Sequence, residues 1–266
     1  MEILADIEFL VPGTERLFTY AHEAPLGADP ETARFVSHAV EIRDLRGAEE
    51  GFGLDENGGT LGHWPTRVRR FDDEAHVREH YYRESAEIIQ DALGADAVVV
   101  YDHNARRGGA PGLRDGHAVG RPVRHAHADY TPGSALERLR RELGPRAEAG
   151  LSRFVQVNLW RPMRGPVRDA PLALCDGASV APHALRAVDL RYRERTGEIY
   201  YLEHERGQRW VFASDMTVDE AWLFKNFDSA SPGPGRIAPH SAFADPRHPD
   251  VPPRESIEVR ALAIFR

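Results

Sequence analysis

The residues best placed to do chemistry lie in the run His125-Ala126-His127-Ala128-Asp129-Tyr130-Thr131. In an extended segment residues two apart project to the same side, so His127 and Asp129 share a face, and His125 has the same parity. Two neutral imidazoles and one carboxylate satisfy a divalent iron without thiolates. They leave positions open on a six-coordinate ion, which suits oxygen chemistry. An isolated His-x-Asp is weak evidence, because most such tripeptides are solvated surface residues. It needs a distant histidine, and His240 in Ile237-Ala238-Pro239-His240-Ser241-Ala242-Phe243 lies between two strand candidates. Beyond it, Arg254-Glu255-Ser256 opens the last strong strand, with Arg254 and Ser256 on one face. A guanidinium grips a carboxylate through two parallel hydrogen bonds, and a hydroxyl adds a third. The far carboxylate of 2-oxoglutarate needs such a grip when its keto-acid end chelates the metal. His-x-Asp, a distant His and Arg-x-Ser in that order are more selective than any one of them.

The elements that must position these groups are mostly strands. Over the first 70 or so residues the pattern is short strands and turns, with Ala39-Val40-Glu41-Ile42-Arg43 alternating as a half-buried strand. From Asp72 to Leu93, Val77, Tyr81, Ala86, Ile89 and Leu93 recur near helical spacing, and Gly94 can end the helix. Ala97–Tyr101 predicts a buried strand. Asn104–Val123 is rich in Gly, Arg and Pro and predicts a loop able to act as a lid. Ser134 can cap a helix running to about Glu142. Strands then dominate: Phe154–Trp160, Glu198–Leu202, Arg209–Ala213, Ala221–Phe227 and Ile257–Phe265. Turn signals separate them at Arg195-Thr196-Gly197, Arg206-Gly207 and Ser231-Pro232-Gly233-Pro234-Gly235. A strand-rich C-terminal half predicts a sandwich or barrel, and no glycine-rich phosphate loop joins a strand to a helix.

Seven segments occur in the order of one family: Asp44-Leu45-Arg46-Gly47, Tyr81-Tyr82-Arg83-Glu84, Tyr101-Asp102-His103, His127-Ala128-Asp129-Tyr130-Thr131, Asn158-Leu159-Trp160-Arg161-Pro162, Phe224-Lys225-Asn226-Phe227-Asp228-Ser229 and Pro253-Arg254-Glu255-Ser256-Ile257-Glu258-Val259-Arg260. Over most of its length the chain thus resembles the cephamycin-hydroxylase-like and fungal AsaB/NvfI-like hydroxylases and desaturases, within the Fe(II)/2-oxoglutarate dioxygenases. The resemblance implies a mainly β fold with flanking helices around a double-stranded β-helix (jelly-roll) core. It implies one dioxygenase domain over 1–266, with N-terminal strands and helix (about 1–95) packed on a core from about 96 to 266. His127, Asp129 and His240 are then the iron ligands, Arg254 and Ser256 the 2-oxoglutarate anchors, and Asn158, by its residue type alone a buried amide on an apolar strand, a cofactor-binding polar wall near the iron. The implied reaction uses Fe(II), 2-oxoglutarate and O2. It hydroxylates, desaturates or cyclises a small secondary metabolite, amino-acid-like or carboxylate in type, through a ferryl intermediate.

Three other readings use the same residues. One is an iron oxidase that uses O2 without 2-oxoglutarate. Another is a cupin-like metal protein without turnover, and the third a metal-dependent hydrolase. The Arg-x-Ser placement favours the dioxygenase over the last two.

Composition narrows the classes further. The chain has 266 residues, a formal net charge of -8, 41% hydrophobic and 29% charged residues, which suits a packed core and not wholesale disorder. An acidic balance disfavours a nucleic-acid binder working by phosphate neutralisation. No apolar run approaches the ~18 residues of a membrane span. Met1-Glu2-Ile3-Leu4-Ala5-Asp6 carries no secretion signal, so the expectation is a cytoplasmic protein acting on a small molecule. Cys175 is the only cysteine, which excludes an internal disulfide and points to a core thiol. His125 reads as a rim residue once three ligands are assigned, and His76 and His80 as a solvated helix face. Arg260 stands six residues beyond Arg254, ~20 Å along a strand, so the two cannot serve one carboxylate.

Overall fold

Glu2–Leu10 (β1) buries Ile3, Ala5, Ile7 and Phe9 and leaves the intervening residues at least partly exposed, the period of a sheet with one wet face. The computed structural model describes the chain except residues 14, 23, 28, 108–111, 115–116 and 231–234. After β1 come Leu17–Tyr20 (β2), Phe35–Asp44 (β3) and Gly59–His63 (β4). A helical segment follows, comprising Glu74–His76 (α1), a π-helical turn Val77–Tyr81, and Tyr82–Leu93 (α2). Gly94 ends it in the left-handed region at φ 63°, the conformation that favours glycine at a helix end. Ala97–Arg107 (β5), Gly112–Arg114 (β6), His117–Val119 (β7) and His127–Ala128 (β8) lead to the helix Pro132–Leu143 (α3). The remainder is strands: Arg153–Pro162 (β9), Leu172–Cys175 (β10), Leu185–Arg191 (β11) and Thr196–Leu202 (β12). Trp210–Phe212 (β13), Glu220–Asp228 (β14), His240–Ala242 (β15) and Glu255–Phe265 (β16) complete the chain.

The strands form a jelly roll. A nine-stranded sheet runs β1-β3-β13-β10-β15-β8-β12-β11-β2, and a five-stranded sheet runs β4-β14-β9-β16-β5. Leu172, Leu174 and Val211 of the larger sheet pack against Trp160, Trp222 and Phe224 of the smaller. On the other face of the smaller sheet, Val155, Val157 and Leu159 meet Val77, Tyr81 and Ile89 of the helical segment. β9 is therefore buried on both faces, which is why it reads as an almost continuous apolar run. Its even positions, Gln156, Asn158 and Trp160, face the interior between the sheets, where polar groups are costly unless they have work to do. The N-terminal strands are woven into the sheets: β1, β2 and β3 belong to the larger and β4 to the smaller.

Two local expectations are corrected. Thr131, not Ser134, is the N-cap of α3. Its side chain accepts from the Ser134 backbone, and the Ser134 hydroxyl accepts from the Thr131 N–H, a reciprocal capping box. The Asn104–Val123 stretch is not all loop. β5 continues to Arg107 because β16 pairs with it as far as Glu255, and β6 pairs with β7. The rest of the expected lid, 108–111 and 115–116, lies outside the described residues, as does the Ser231–Pro234 part of the predicted turn.

Candidate metal centre

β8 is only two residues long, but it is held on both sides: His127 pairs with His240 of β15 and with Tyr201 of β12. Directly opposed residues on neighbouring strands place their side chains ~5 Å apart. The register alone therefore brings the two imidazoles together, with ring centroids 4.3 Å apart. Asp129, two residues along, points the same way, with Oδ1 3.7 Å from His127 Nε2. One ligand atom from each of His127, Asp129 and His240 lies within 4.8 Å of the others. Among the described residues this is the one such group of three or more.

The surroundings prepare these atoms for a cation. His127 Nδ1 lies 2.9 Å from the His125 carbonyl, and His240 Nδ1 lies 3.3 Å from the Ala238 carbonyl. A carbonyl only accepts, so each ring donates from Nδ1 and keeps the Nε2 lone pair for a metal. Burial, then His240, push the His127 pKa down to about 3. Burial likewise lowers His240. Both rings are thus neutral at pH 7. Burial works against ionising Asp129, but His240, Arg260, His127 and the Asn158 amide outweigh it and hold its pKa below the ordinary value. Two neutral nitrogens and one carboxylate form a donor set fitted to divalent iron.

Asn158, expected near the iron, reaches the site through Asp129: its Nδ2 donates to Asp129 Oδ2 at 2.8 Å. Asn226 does the complementary job, its Oδ1 accepting from the Asp129 N–H at 2.9 Å. Asn226 sits where the β14–β9 register slips between Lys225 and Phe227. That irregularity turns it toward the centre, as bulges beside active sites do. No sequence signal marks a bulge, so Asn226 is legible only in three dimensions.

Arg254, immediately before β16, lines the small cavity that also touches His127, His240 and Trp160; Ser256 lies two residues on, on the same strand face as Glu258, which lines that cavity. Both residues are buried. The Arg254 N–H donates to Asp169 at 2.8 Å, and Nη1 donates to the Ala170 carbonyl. Arg254 Nε and Ser256 Oγ have no partner among the described residues. A buried donor left unmade costs ~1–3 kcal/mol. Two of them beside the triad fit an oxyanion such as a carboxylate. Burial, then Arg106, lower the Arg254 pKa to about 9, so this cation itself gains from an anionic partner. Glu258 continues the same face into the cavity; burial, then Asp129, raise its carboxyl. Period-2 spacing from Arg254 would have revealed it.

The remaining candidates are not in the donor set: His125 and Arg260 border it, and Cys175, His76 and His80 are not part of it. His125 stacks on Phe35 at 4.6 Å and lines the rim of a larger cavity. Arg260 lines that same cavity and is paired with Asp102 at 2.7 Å. Cys175 is a buried thiol, raised to about 12 by burial first. His76 and His80 lie on the helical segment, with ring centroids 4.4 Å apart.

Comparison with known proteins adds an independent line. A family model described as an oxidoreductase/YMDC permease-like domain matches residues 7–264. The chain is 34% identical over 259 residues to the Fe(II)/2-oxoglutarate-dependent dioxygenase nvfI of Aspergillus novofumigatus, covering 94% of this chain and 91% of that one. It is 31% identical to the hydroxylase/desaturase efuI of Hormonema carpetanum, over 87% of this chain and 85% of the relative. The solved structure of the iron and alpha-ketoglutarate-dependent endoperoxidase NvfI superposes with a TM-score of 0.88 at 30% identity, covering 99% of this chain and 98% of that one.

Proposed function

This chain belongs to the Fe(II)/2-oxoglutarate-dependent dioxygenases, and from that membership we propose that His127, Asp129 and His240 hold the iron while Arg254 and Ser256 hold the distal carboxylate of 2-oxoglutarate. The protein is an oxidoreductase that uses Fe(II), 2-oxoglutarate and O2 on a small molecule. The observation that carries the ligand assignment is the convergence of three donor atoms within 4.8 Å, next to two orphaned donors. When bound, iron with 2-oxoglutarate would activate O2, the oxidant, to remove hydrogen from an unactivated carbon.

The protein's share is positional. The strand register sets His127 against His240; Asn226 holds the Asp129 backbone N–H and Asn158 holds Oδ2, leaving Oδ1 toward His127. Asn158 therefore acts on the co-substrate site through Asp129. The sheets exclude water from the Arg254 end, which strengthens its grip on a carboxylate. Hydroxylase/desaturase and endoperoxidase activities are named for relatives, and the same class of oxidation of a small secondary metabolite is proposed here. We place the activity in one domain over 1–266, in the cytoplasm, acting on neither nucleic acid nor membrane. No helix among the described residues is long and apolar enough to cross a membrane.

The direct test is O2-dependent release of succinate from 2-oxoglutarate. Turnover should require Fe(II) and vanish in Asp129→Ala. Undiminished turnover in that variant would remove the ligand assignment.

A further inference from the structure

Beside the triad, on the side away from Arg254, lies a cavity of about 410 Å³. Its wall includes His127, Asp129 and Tyr130, and five arginines: Arg106, Arg138, Arg141, Arg195 and Arg260. Three of these are neutralised within the protein. Arg138 pairs with Glu142 at 2.9 Å, Arg141 with Glu137 at 2.9 Å, and Arg260 with Asp102 at 2.7 Å. Of the other carboxylates on the wall, Glu198 accepts from the Thr131 hydroxyl, and Asp129 belongs to the metal centre. Arg106 and Arg195 make no salt bridge among the described residues, although Arg106 lines the small cavity with the buried Glu258 and favours its ionised form. Arg106 donates from Nη1 to the Arg121 carbonyl at 2.9 Å, and Arg195 lies 3.6 Å over the Tyr192 ring.

Both guanidiniums are seated against glycines. A side chain at Gly120 would place its Cβ 2.8 Å from Arg106 Nη1, and one at Gly197 would place it 3.2 Å from Arg195 Nη1. A residue larger than glycine at 120 would push Arg106 off its seat. The seat, with the bond to the Arg121 carbonyl, holds one nitrogen of the Arg106 fork and leaves the others for a ligand. Arg106 also lines the small cavity that contains Arg254, so it stands where the two cavities meet, next to the metal ligands. Leu190, Ile199 and Val123 add apolar surface to the larger cavity.

We infer that this cavity selects an anionic substrate, a carboxylic acid with a compact apolar body, and that Arg106 is its main specificity-determining residue, with Arg195 as a second cation. The inference rests on the iron and 2-oxoglutarate reading above. An unpaired guanidinium fork in a partly closed cavity binds a carboxylate through two charge-assisted hydrogen bonds and repays little to a neutral ester. Placed next to the triad, it would anchor the acid end of the substrate and set which carbon faces the metal. 2-Oxoglutarate is itself a carboxylate, so the test must separate the two sources.

The experiment uses the wild-type protein loaded anaerobically with Fe(II) and 2-oxoglutarate. It is titrated calorimetrically with phenylacetate, phenylbutanoate and decanoate and with the methyl ester of each. At least one acid should bind roughly tenfold or more tighter than its ester, the worth of a charge-assisted pair. Arg106→Ala should erase that preference, leave ester affinity unchanged and weaken 2-oxoglutarate, which keeps its Arg254 grip, much less than the acid, while Arg106→Lys restores part of the preference. Gly120→Ala should weaken the acid while keeping the charge, which a general electrostatic effect would not do. Equal acid and ester affinity, or no acid binding in the panel, overturns the inference. So does an Arg106→Ala variant that loses 2-oxoglutarate instead of the acid. Failure of the underlying reading would show earlier, as a wild type that does not bind iron and 2-oxoglutarate before any acid is added.

Discussion

The two cavities that meet at the metal triad are built in different ways. The Arg254 end is made mainly from strand positions: Trp160 on β9, Leu172 on β10, His240 and Ser241 on β15, and Glu258 on β16. There a side chain's direction follows from register, and shifting a strand by one residue would turn every group away. The Arg106 end adds α3 and the turn between β11 and β12 to strand positions on β2, β5, β8, β11, β12 and β16. The side chains on α3 and in that turn can change without disturbing any register. The difference teaches where constraint lies. Groups that hold metal and co-substrate are fixed by the sheets, and groups that choose the substrate hang from the edges, as functional loops on rigid scaffolds do.

Substitutions on the sheet-built side should hurt most. Asp129→Ala removes the one anionic ligand and should abolish stoichiometric iron binding as well as turnover, measured by metal analysis after anaerobic loading. An intact iron content would break the contrast at once. Next, Arg254→Met should raise the KM for 2-oxoglutarate by roughly 10²-fold, the cost of a buried charge-assisted pair, with Ser256→Ala costing less, roughly fivefold. Steady-state kinetics in 2-oxoglutarate distinguishes the two.

Asn226→Ala is the sharper probe of positioning. It touches Asp129 through a backbone N–H and no cofactor atom, so it should lower iron affinity by roughly 10- to 100-fold, the range for groups that orient metal ligands. A competitive chelator titration measures this, and Asn226→Asp, which keeps the acceptor, should recover part of the loss.

The smallest effect lies off the site, in the ion cluster under β14. Lys225, the only lysine, donates to Asp228 at 2.8 Å, and Arg153 pairs with the same carboxylate. Burial opposes ionisation of Asp228, but the Arg153 and Lys225 hydrogen bonds outweigh it and lower its pKa from 3.8. A carboxylate depressed in the folded state stabilises the fold fully above its unfolded pKa, and the contribution drains as pH falls through the folded value. Unfolding midpoints should therefore fall in acid below about pH 4. Asp228→Asn should destabilise by ~1–3 kcal/mol at pH 7 with a flatter acid limb, seen by denaturant titration.

The same division decided what was legible in the sequence. His127, Asp129, His240, Arg254 and Ser256 could be read from residue type and period-2 spacing, because strands convert spacing into direction. Long apolar runs such as β9, β14 and β16 announce themselves for the same reason. β10 and β15 did not, because three or four residues hold too little pattern to separate a strand from a loop. Asn226 depends on a register slip. The seats of Arg106 and Arg195 depend on contacts between residues that the fold, not the sequence, makes neighbours in space. Thr131 took the cap expected of Ser134 because Pro132 is favoured at the first helical position and sets the start one residue before it.

The central claim is that the triad and the Arg254 anchor form one chelation site for iron and 2-oxoglutarate. Fe(II) and then 2-oxoglutarate should be titrated anaerobically into the metal-free protein, with the visible spectrum recorded, in wild type and in Arg254→Met. The account predicts one iron per chain, a weak metal-to-ligand charge-transfer band on adding 2-oxoglutarate, and the same band in Arg254→Met only at much higher 2-oxoglutarate. Iron binding with no band, or a band whose 2-oxoglutarate dependence ignores Arg254, would contradict it.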